Sequence, residues 1–305
     1  MAIAPVAVIA GLLAGLLQAW RTALQQRLRA ELTVSGAGLV RYAYGAPVAL
    51  VLASSYLGWH GEHWPAFNLP FLGFAAAGGL AQILGTNALI AAFGHRGFVA
   101  GTAFSKTEAL QAALFSFVIL GERLALLVWL GILAGLAGVV VLAIGGTGKG
   151  LRELRAQLAE RGATLGLIAG AFFAITGVLV KLATEQLLTN DFFAAGLVTL
   201  VAVLILQALM HGLWVLWREP ATLRAVVRTW RSSSQVGILA AMGSACWFTG
   251  FAVAPVAFVR LVGQVEVLFT LGFSRWFLAE PVHRHEVAGL LLVVLGVALA
   301  LAGAF

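Results

Sequence analysis

Apolar residues run in long blocks along this chain, and short polar stretches separate the blocks. A helix needs about 20 mostly apolar residues to cross a lipid bilayer. The chain contains ten blocks of roughly this length, and each predicts one membrane-spanning helix. The ten predicted spans are 3–24, 34–58, 69–93, 97–119, 125–145, 163–183, 191–217, 235–254, 257–278 and 285–304.

The strongest polar interruptions are 59–68, 146–162 and 218–234. The last two carry apolar residues at helical spacing among several arginines. This pattern is typical of short amphipathic helices that lie at the membrane surface, where they could bind lipid or a partner. It also fits a solvated connector, which is the interpretation we favour for both segments.

Composition supports a membrane protein of the all-α class. Hydrophobic residues make up 61% of the chain and charged residues only 10%, against about 25% charged residues in a soluble domain. The net charge of +7 does not indicate nucleic-acid binding, because the basic residues are spread between apolar blocks. Cys246 is the single cysteine, so an intrachain disulfide is excluded.

The chain also repeats itself. At a shift of 158 residues two pairs of scarce acidic residues align, and at a shift of 155 the first predicted span aligns with the sixth through its glycines. The aligned pairs are Glu108 with Glu266, Glu122 with Glu280, Gly11 with Gly166, and Gly15 with Gly170. We therefore predict two related units, 1–145 and 163–305, joined by a linker at 146–162. Five spans per unit would place the second unit upside down relative to the first, as in the inverted repeats of many transporters.

The stretch 102–143 resembles the second half of an EamA-type repeat of the drug/metabolite transporter superfamily. The resemblance lies in the sequence Gly121-Glu122-Arg123 at a helix end and in the glycines of the next helix. The stretch 265–301 is similar to the same element, and Arg41 also fits the pattern. The resemblance implies ten helices around a central cavity and export or exchange of small metabolites. The glutamate that small four-helix relatives carry in their first helix has no counterpart here.

Three charged residues fall near the middle of predicted spans: Lys106, Glu108 and Glu266. Each costs roughly 2.5–3.5 kcal/mol at a helix centre, so we expect all three to face the protein interior. The two glutamates are candidates to bind a cationic group or a proton, and Lys106 to bind a substrate carboxylate. Alternatively, the charges form buried pairs that fix helix packing. On one continuous helix, Lys106 and Glu108 would point in different directions, one to the cavity and one to a neighbouring helix.

Polar side chains in other spans suit recognition of a polar organic molecule, although each also fits an interhelical hydrogen bond. These candidate ligand-binding residues are Gln18, Trp20, Gln82, Thr86, Asn87, Ser244, Trp247 and Gln264. We expect Lys181 to extend towards the interface, and Glu122 and Glu280 to cap loops. The family resemblance also implies that the fifth and tenth spans pack together at the edge of the bundle. A further set of glycines would allow this close packing: Gly131, Gly135, Gly138, Gly289 and Gly296.

Together these features predict a secondary transporter, specifically an exporter of small polar metabolites such as amino acids, that works by alternating access. We expect a monomer in the bacterial inner membrane, with a small-molecule substrate, a proton or other coupling ion, surrounding lipid, and no cofactor, metal or nucleic acid. A structural or sensory membrane protein is the alternative. An enzyme acting on lipid-linked substrates is less favoured, because the six histidines form no recognisable catalytic or metal-binding set.

Lysine and arginine favour cytoplasmic loops. Of the 19 lysine and arginine residues, fifteen flank odd-numbered loops, three flank even-numbered loops, and Lys106 lies within a span. This distribution predicts a cytoplasmic linker and external termini, whereas the resemblance implies cytoplasmic termini.

Overall fold

The computed structural model describes residues 3–144, 161–276 and 284–304, and these residues form α-helices joined by short turns. The first unit contains α1 (Ile3–Leu28), α2 (Val34–Ala43), α3 (Gly45–His60), α4 (Leu69–Ser105), α5 (Glu108–Phe115), a π-helical turn (Ser116–Leu120) and α6 (Leu126–Ile144). The rest contains α7 (Arg161–Glu185), α8 (Phe192–Arg218), α9 (Pro220–Arg228), α10 (Trp230–Val253), α11 (Val256–Gly263), α12 (Glu266–Trp276) and α13 (Arg284–Ala304).

Seven segments of the described chain are long and apolar enough to cross a membrane, which confirms the all-α membrane class. Their bounds are Pro5–Leu28, Val34–His60, Leu69–Gly94, Arg161–Glu185, Phe192–Arg218, Trp230–Val253 and Val256–Phe273. The other three predicted spans coincide with shorter apolar helical stretches: Glu108–Leu120, Leu126–Gly138 and Val287–Gly303. The count of ten spans therefore stays a prediction.

Local sequence explains several helix boundaries. The Thr33 side chain accepts a hydrogen bond from the Gly36 N–H and caps α2, and Asp191 caps α8 through the Phe193 and Ala194 N–H groups. Pro47 cannot donate to the Ala43 carbonyl four residues earlier, which accounts for the interruption between α2 and α3 at Tyr44.

The structure corrects the predicted fourth and ninth spans. Helix α4 continues through 94–96, where we expected a loop, and the backbone instead breaks at 106–107. The ninth span breaks at 264–265, which is the same position in the repeat. Discontinuous helices of this kind are a feature of transporter binding sites.

Helix pairs between the two units hold the fold together. Helix α1 packs on α10 and α12, while α7 packs on α4 and α5, so each first helix covers the broken helix of the other unit. Helices α6 and α13 pack against each other through glycines. A Cβ atom at Gly131 would lie 2.5 Å from the Gly296 carbonyl oxygen, one at Gly296 would lie 2.5 Å from the Gly131 oxygen, and one at Gly138 would lie 2.5 Å from the Gly289 oxygen.

Of the two segments predicted as surface helices or connectors, the structure describes one in full. Residues 146–160, together with Glu280, lie outside the described residues. The segment 218–234 contains α9, a short helix that buries Thr222 and Val226 and exposes Arg224 and Arg228.

Candidate functional site

The two helix breaks place an acidic residue at the start of a new helix in each unit. Glu108 begins α5 and Glu266 begins α12, where the positive end of the helix dipole favours a carboxylate. Each break is touched by a glycine that the repeat aligns. A Cβ atom at Gly170 would lie 2.9 Å from the Ser105 carbonyl oxygen, and one at Gly15 would lie 3.0 Å from the carbonyl oxygen of Gly263.

Ion pairs cross between the units at these breaks. The Lys106 ammonium donates to the Glu266 carboxylate, and the Arg260 Nη1 atom lies 3.5 Å from Glu108 Oε2. All four side chains are at most 4% exposed. The expectation that Lys106 and Glu108 point apart rested on a continuous helix. Because the helix is interrupted between them, both side chains instead reach partners in the second unit.

Three further predicted residues join this cluster. Gln18 donates to Glu266 Oε2 at 2.6 Å and accepts from the Trp247 indole at 3.0 Å. Gln264 donates to the Lys106 carbonyl oxygen at 3.0 Å. A chain of polar contacts therefore connects the tryptophan of α10 to the lysine at the first break.

Sequence reasoning missed the arginines of this site. Arg21, Arg41 and Arg260 were assigned to loop flanks, but each is at most 4% exposed in the interior. Arg260 lies in the apolar run AFVRLVG, and a charge within such a run is itself a signal of function. Without these three residues, 13 basic residues flank odd-numbered loops and two flank even-numbered loops. The bias keeps its direction, and the orientation stays a prediction.

Arg41 is held by neutral groups. Its Nη1 atom donates to the Thr86 hydroxyl at 3.1 Å and its Nη2 atom to the Ser244 hydroxyl at 3.3 Å. Both partners were predicted as site residues, and they come from α4 and α10. The Nε atom of Arg41 has no hydrogen-bond partner among the described residues.

Arg41 and Arg260 line one narrow cavity with several aromatic side chains. Gln18 and Gln82 also contribute to its wall, and the Gln82 amide oxygen accepts from Gln207 at 2.9 Å. The cavity has room for about one water molecule, so the helices must separate before a larger ligand enters.

The structure does not bring every predicted residue to this centre. Trp20 is 45% exposed on the outer surface and stacks on Phe273. The Asn87 Nδ2 atom lies 3.5 Å from His211 Nε2, in a groove between α4 and α8.

Charged residues also make contacts at both ends of the helix bundle. At one end Lys181 donates to Glu122 at 2.6 Å and to the Ala254 carbonyl at 3.1 Å, and its extension towards the interface stays a prediction. Gly121, at a φ of 66°, turns the chain so that Glu122 also accepts from the Val256 N–H, in keeping with its expected role at a loop.

At the other end Glu219 accepts hydrogen bonds from Thr33, Ser35 and Thr222, at 2.8, 3.0 and 3.1 Å. Partial burial acts to raise the pKa of the Glu219 carboxyl. The three hydroxyl hydrogen bonds outweigh this effect and hold its pKa below the usual value.

Residues 160–302 match the EamA-like transporter family. The match covers just under half of the chain and confirms the resemblance seen in the sequence at 265–301. Together with the seven apolar segments it indicates a multi-pass membrane transporter. The family is one of transporters and not of enzymes. Among the described residues, no three His, Cys, Asp or Glu side chains are grouped to hold a metal ion.

A solved structure shares the fold over nearly the whole chain. This crystal structure of a protein has a TM-score of 0.67 and covers 96% of this chain and 95% of its own, at 21% identity. At that identity the likeness shows the fold alone. No curated protein sequence matches the chain significantly.

Proposed function

We propose that this protein is a secondary transporter that exports a small polar metabolite, such as an amino acid, by alternating access. We place it in the bacterial inner membrane as a monomer of two inverted five-helix units, 1–145 and 163–305. The observation that carries the proposal is the pair of helix breaks at equivalent repeat positions, with ion pairs that cross between the units.

The contacts explain how such a protein could move. The breaks, the crossed ion pairs and the reciprocal glycine contacts of α6 and α13 support a two-fold relation between the units. The end contacts join other parts of the bundle: Lys181 of α7 to Glu122 before α6, and Ser35 of α2 to Glu219 after α8. Opening one end while the centre stays paired would expose the cavity to one side of the membrane at a time. Glu266 and Glu108 are the carboxylates available to exchange a coupling proton.

Vesicles test this function against its alternatives. Purified protein is reconstituted into liposomes loaded with a defined mixture of metabolites, and mass spectrometry follows what leaves, with protein-free liposomes as the control. We expect protein-dependent loss of a small set of polar metabolites. Binding without flux would favour a sensory protein, and new compounds in the mixture would favour an enzyme.

A further inference from the structure

The interior of the protein carries more positive than negative charge. Among the residues the structure describes, six ionisable Lys, Arg, Asp and Glu side chains are at most 4% exposed. Four of these are basic and two are acidic. The basic ones are Arg21, Arg41, Lys106 and Arg260, and the acidic ones are Glu108 and Glu266.

The acidic residues are already paired. Lys106 forms an ion pair with Glu266, and Arg260 forms one with Glu108. Arg21 and Arg41 have no carboxylate partner within 4 Å in the described chain, and their directed hydrogen bonds end on hydroxyl groups. An uncompensated buried charge is costly, and intramembrane charges mark substrate or ion pathways. An anionic ligand would supply the missing partner.

The cavity shows where the anion would bind. Arg41 and Arg260 both line it and lie within electrostatic range of each other. The Arg260 guanidinium lies over the rings of Trp247 and Phe251, at 4.6 and 5.0 Å from their centroids, so these aromatic groups partly satisfy it. Arg41 has no such aromatic partner from another helix among the described residues, and its planar fork suits a carboxylate or phosphate.

Besides the two arginines, the wall combines the polar side chains Gln18, Gln82 and Thr176 with four aromatic rings. Phe173 and Phe248 line the same cavity as Trp247 and Phe251, and they offer aromatic surface to the body of a ligand. We propose that the protein binds a small organic acid with net negative charge, its acid group on Arg41 beside Arg260 and its apolar part among these rings. This inference rests on the proposed transport function and names its class of substrate.

Thermal stability of the purified full chain in a neutral detergent tests the inference, because a ligand of the folded state raises the apparent Tm. The probes are benzoate, the neutral benzamide and the cationic benzylamine, all at one ionic strength, with acetate and inorganic phosphate as smaller anions. We expect benzoate to raise Tm in a saturable way and the two uncharged or cationic analogues to have no effect. Phosphate acting in place of the carboxylates would move the ligand to the phosphate class.

Substitution of Arg41 makes the test specific. Arg41→Gln should weaken benzoate binding about tenfold or more, and Arg41→Lys by less, because the charge remains without the fork. Without ligand, Arg41→Gln should be at least as stable as the wild type, since it removes an unpaired buried charge. The exposed Arg228→Gln should bind as the wild type does.

The proposal is overturned if no anion stabilises the wild type beyond its neutral analogue, or if Arg41→Gln binds benzoate unchanged. The wild-type measurements decide the first of these outcomes even if a variant does not fold. Flux of a neutral or cationic solute without anion binding would overturn this inference and leave the transport function intact. Anion binding without flux of any solute would support this inference and overturn the transport function.

Discussion

The centre and the two ends of the helix bundle hold their charges in different ways. At the centre, ion pairs are almost fully buried and lie at helix breaks touched by glycine. At the ends, Lys181 and Glu122 keep 17% and 12% exposure, and Glu219 is held by hydroxyl groups instead of a cation. Buried pairs are costly to break and exposed contacts are cheap. This difference suits a molecule that opens at its ends around a centre that stays paired.

Breaking a central pair should have the largest effect. Arg260→Gln leaves Glu108 buried without its cation, and we expect a loss of about 3–5 kcal/mol in the free energy of unfolding. The double variant Arg260→Gln with Glu108→Gln should recover a large part of this loss. Chemical denaturation in detergent gives both values, and equal stability of the single and double variants would contradict the pairing.

Adding a methyl group where α6 and α13 touch should be the next largest effect. Gly131→Ala forces a Cβ atom against the Gly296 carbonyl and should cost about 1–3 kcal/mol. Gly73→Ala is the matched control, because a Cβ atom there meets nothing within 4 Å. A similar change in stability for both variants would show that helix propensity, and not the close approach, determines the effect.

The end contact between Lys181 and Glu122 should matter less for stability. Lys181→Gln removes the pair and should lower the free energy of unfolding by about 1 kcal/mol, as for other partly exposed ion pairs. It should also favour opening at that end. Labelling of a cysteine introduced at Thr176, which lines the same cavity as Arg41 and Arg260, would report this opening. Unchanged labelling would mean that this contact does not hold the end closed.

The smallest effect concerns pH at the other end. The pKa of Glu219 lies below its ordinary value, so the stability it contributes is present above the unfolded pKa and is lost as pH falls through the folded pKa. Tm of the wild type should therefore fall in acid slightly more than Tm of Glu219→Gln. Parallel acid profiles for the two proteins would rule out this contribution.

Hydrophobic pattern predicted most helices closely because long apolar blocks leave few alternatives. The sixth, seventh and tenth predicted spans match α7, α8 and α13 within two residues at each end. The two-residue breaks at 106–107 and 264–265 escaped prediction because a window of about 20 residues averages over them. Glu108 and Glu266 directly follow these breaks, so the scarce acidic residues pointed to the right place in the chain although the backbone geometry was missed.

The arginines escaped for a different reason. Arg21, Arg41 and Arg260 lie near predicted helix ends, where a positive charge is read as a loop signal. Only tertiary packing shows that α2 buries Arg41 between α4 and α10. Trp20 shows the reverse error, because a polar aromatic group in a span can equally face outwards.

Transport by the paired centre is the central claim, and flux through the double variant Glu108→Gln with Glu266→Gln tests it most directly. Liposomes containing wild-type protein or this variant, reconstituted at equal amounts of folded protein, are compared for release of the metabolite that the wild type exports. We expect the variant to lose at least about 99% of the flux, because a pair of intramembrane acids would serve the pathway. Flux equal to that of the wild type would show that these carboxylates do not serve transport.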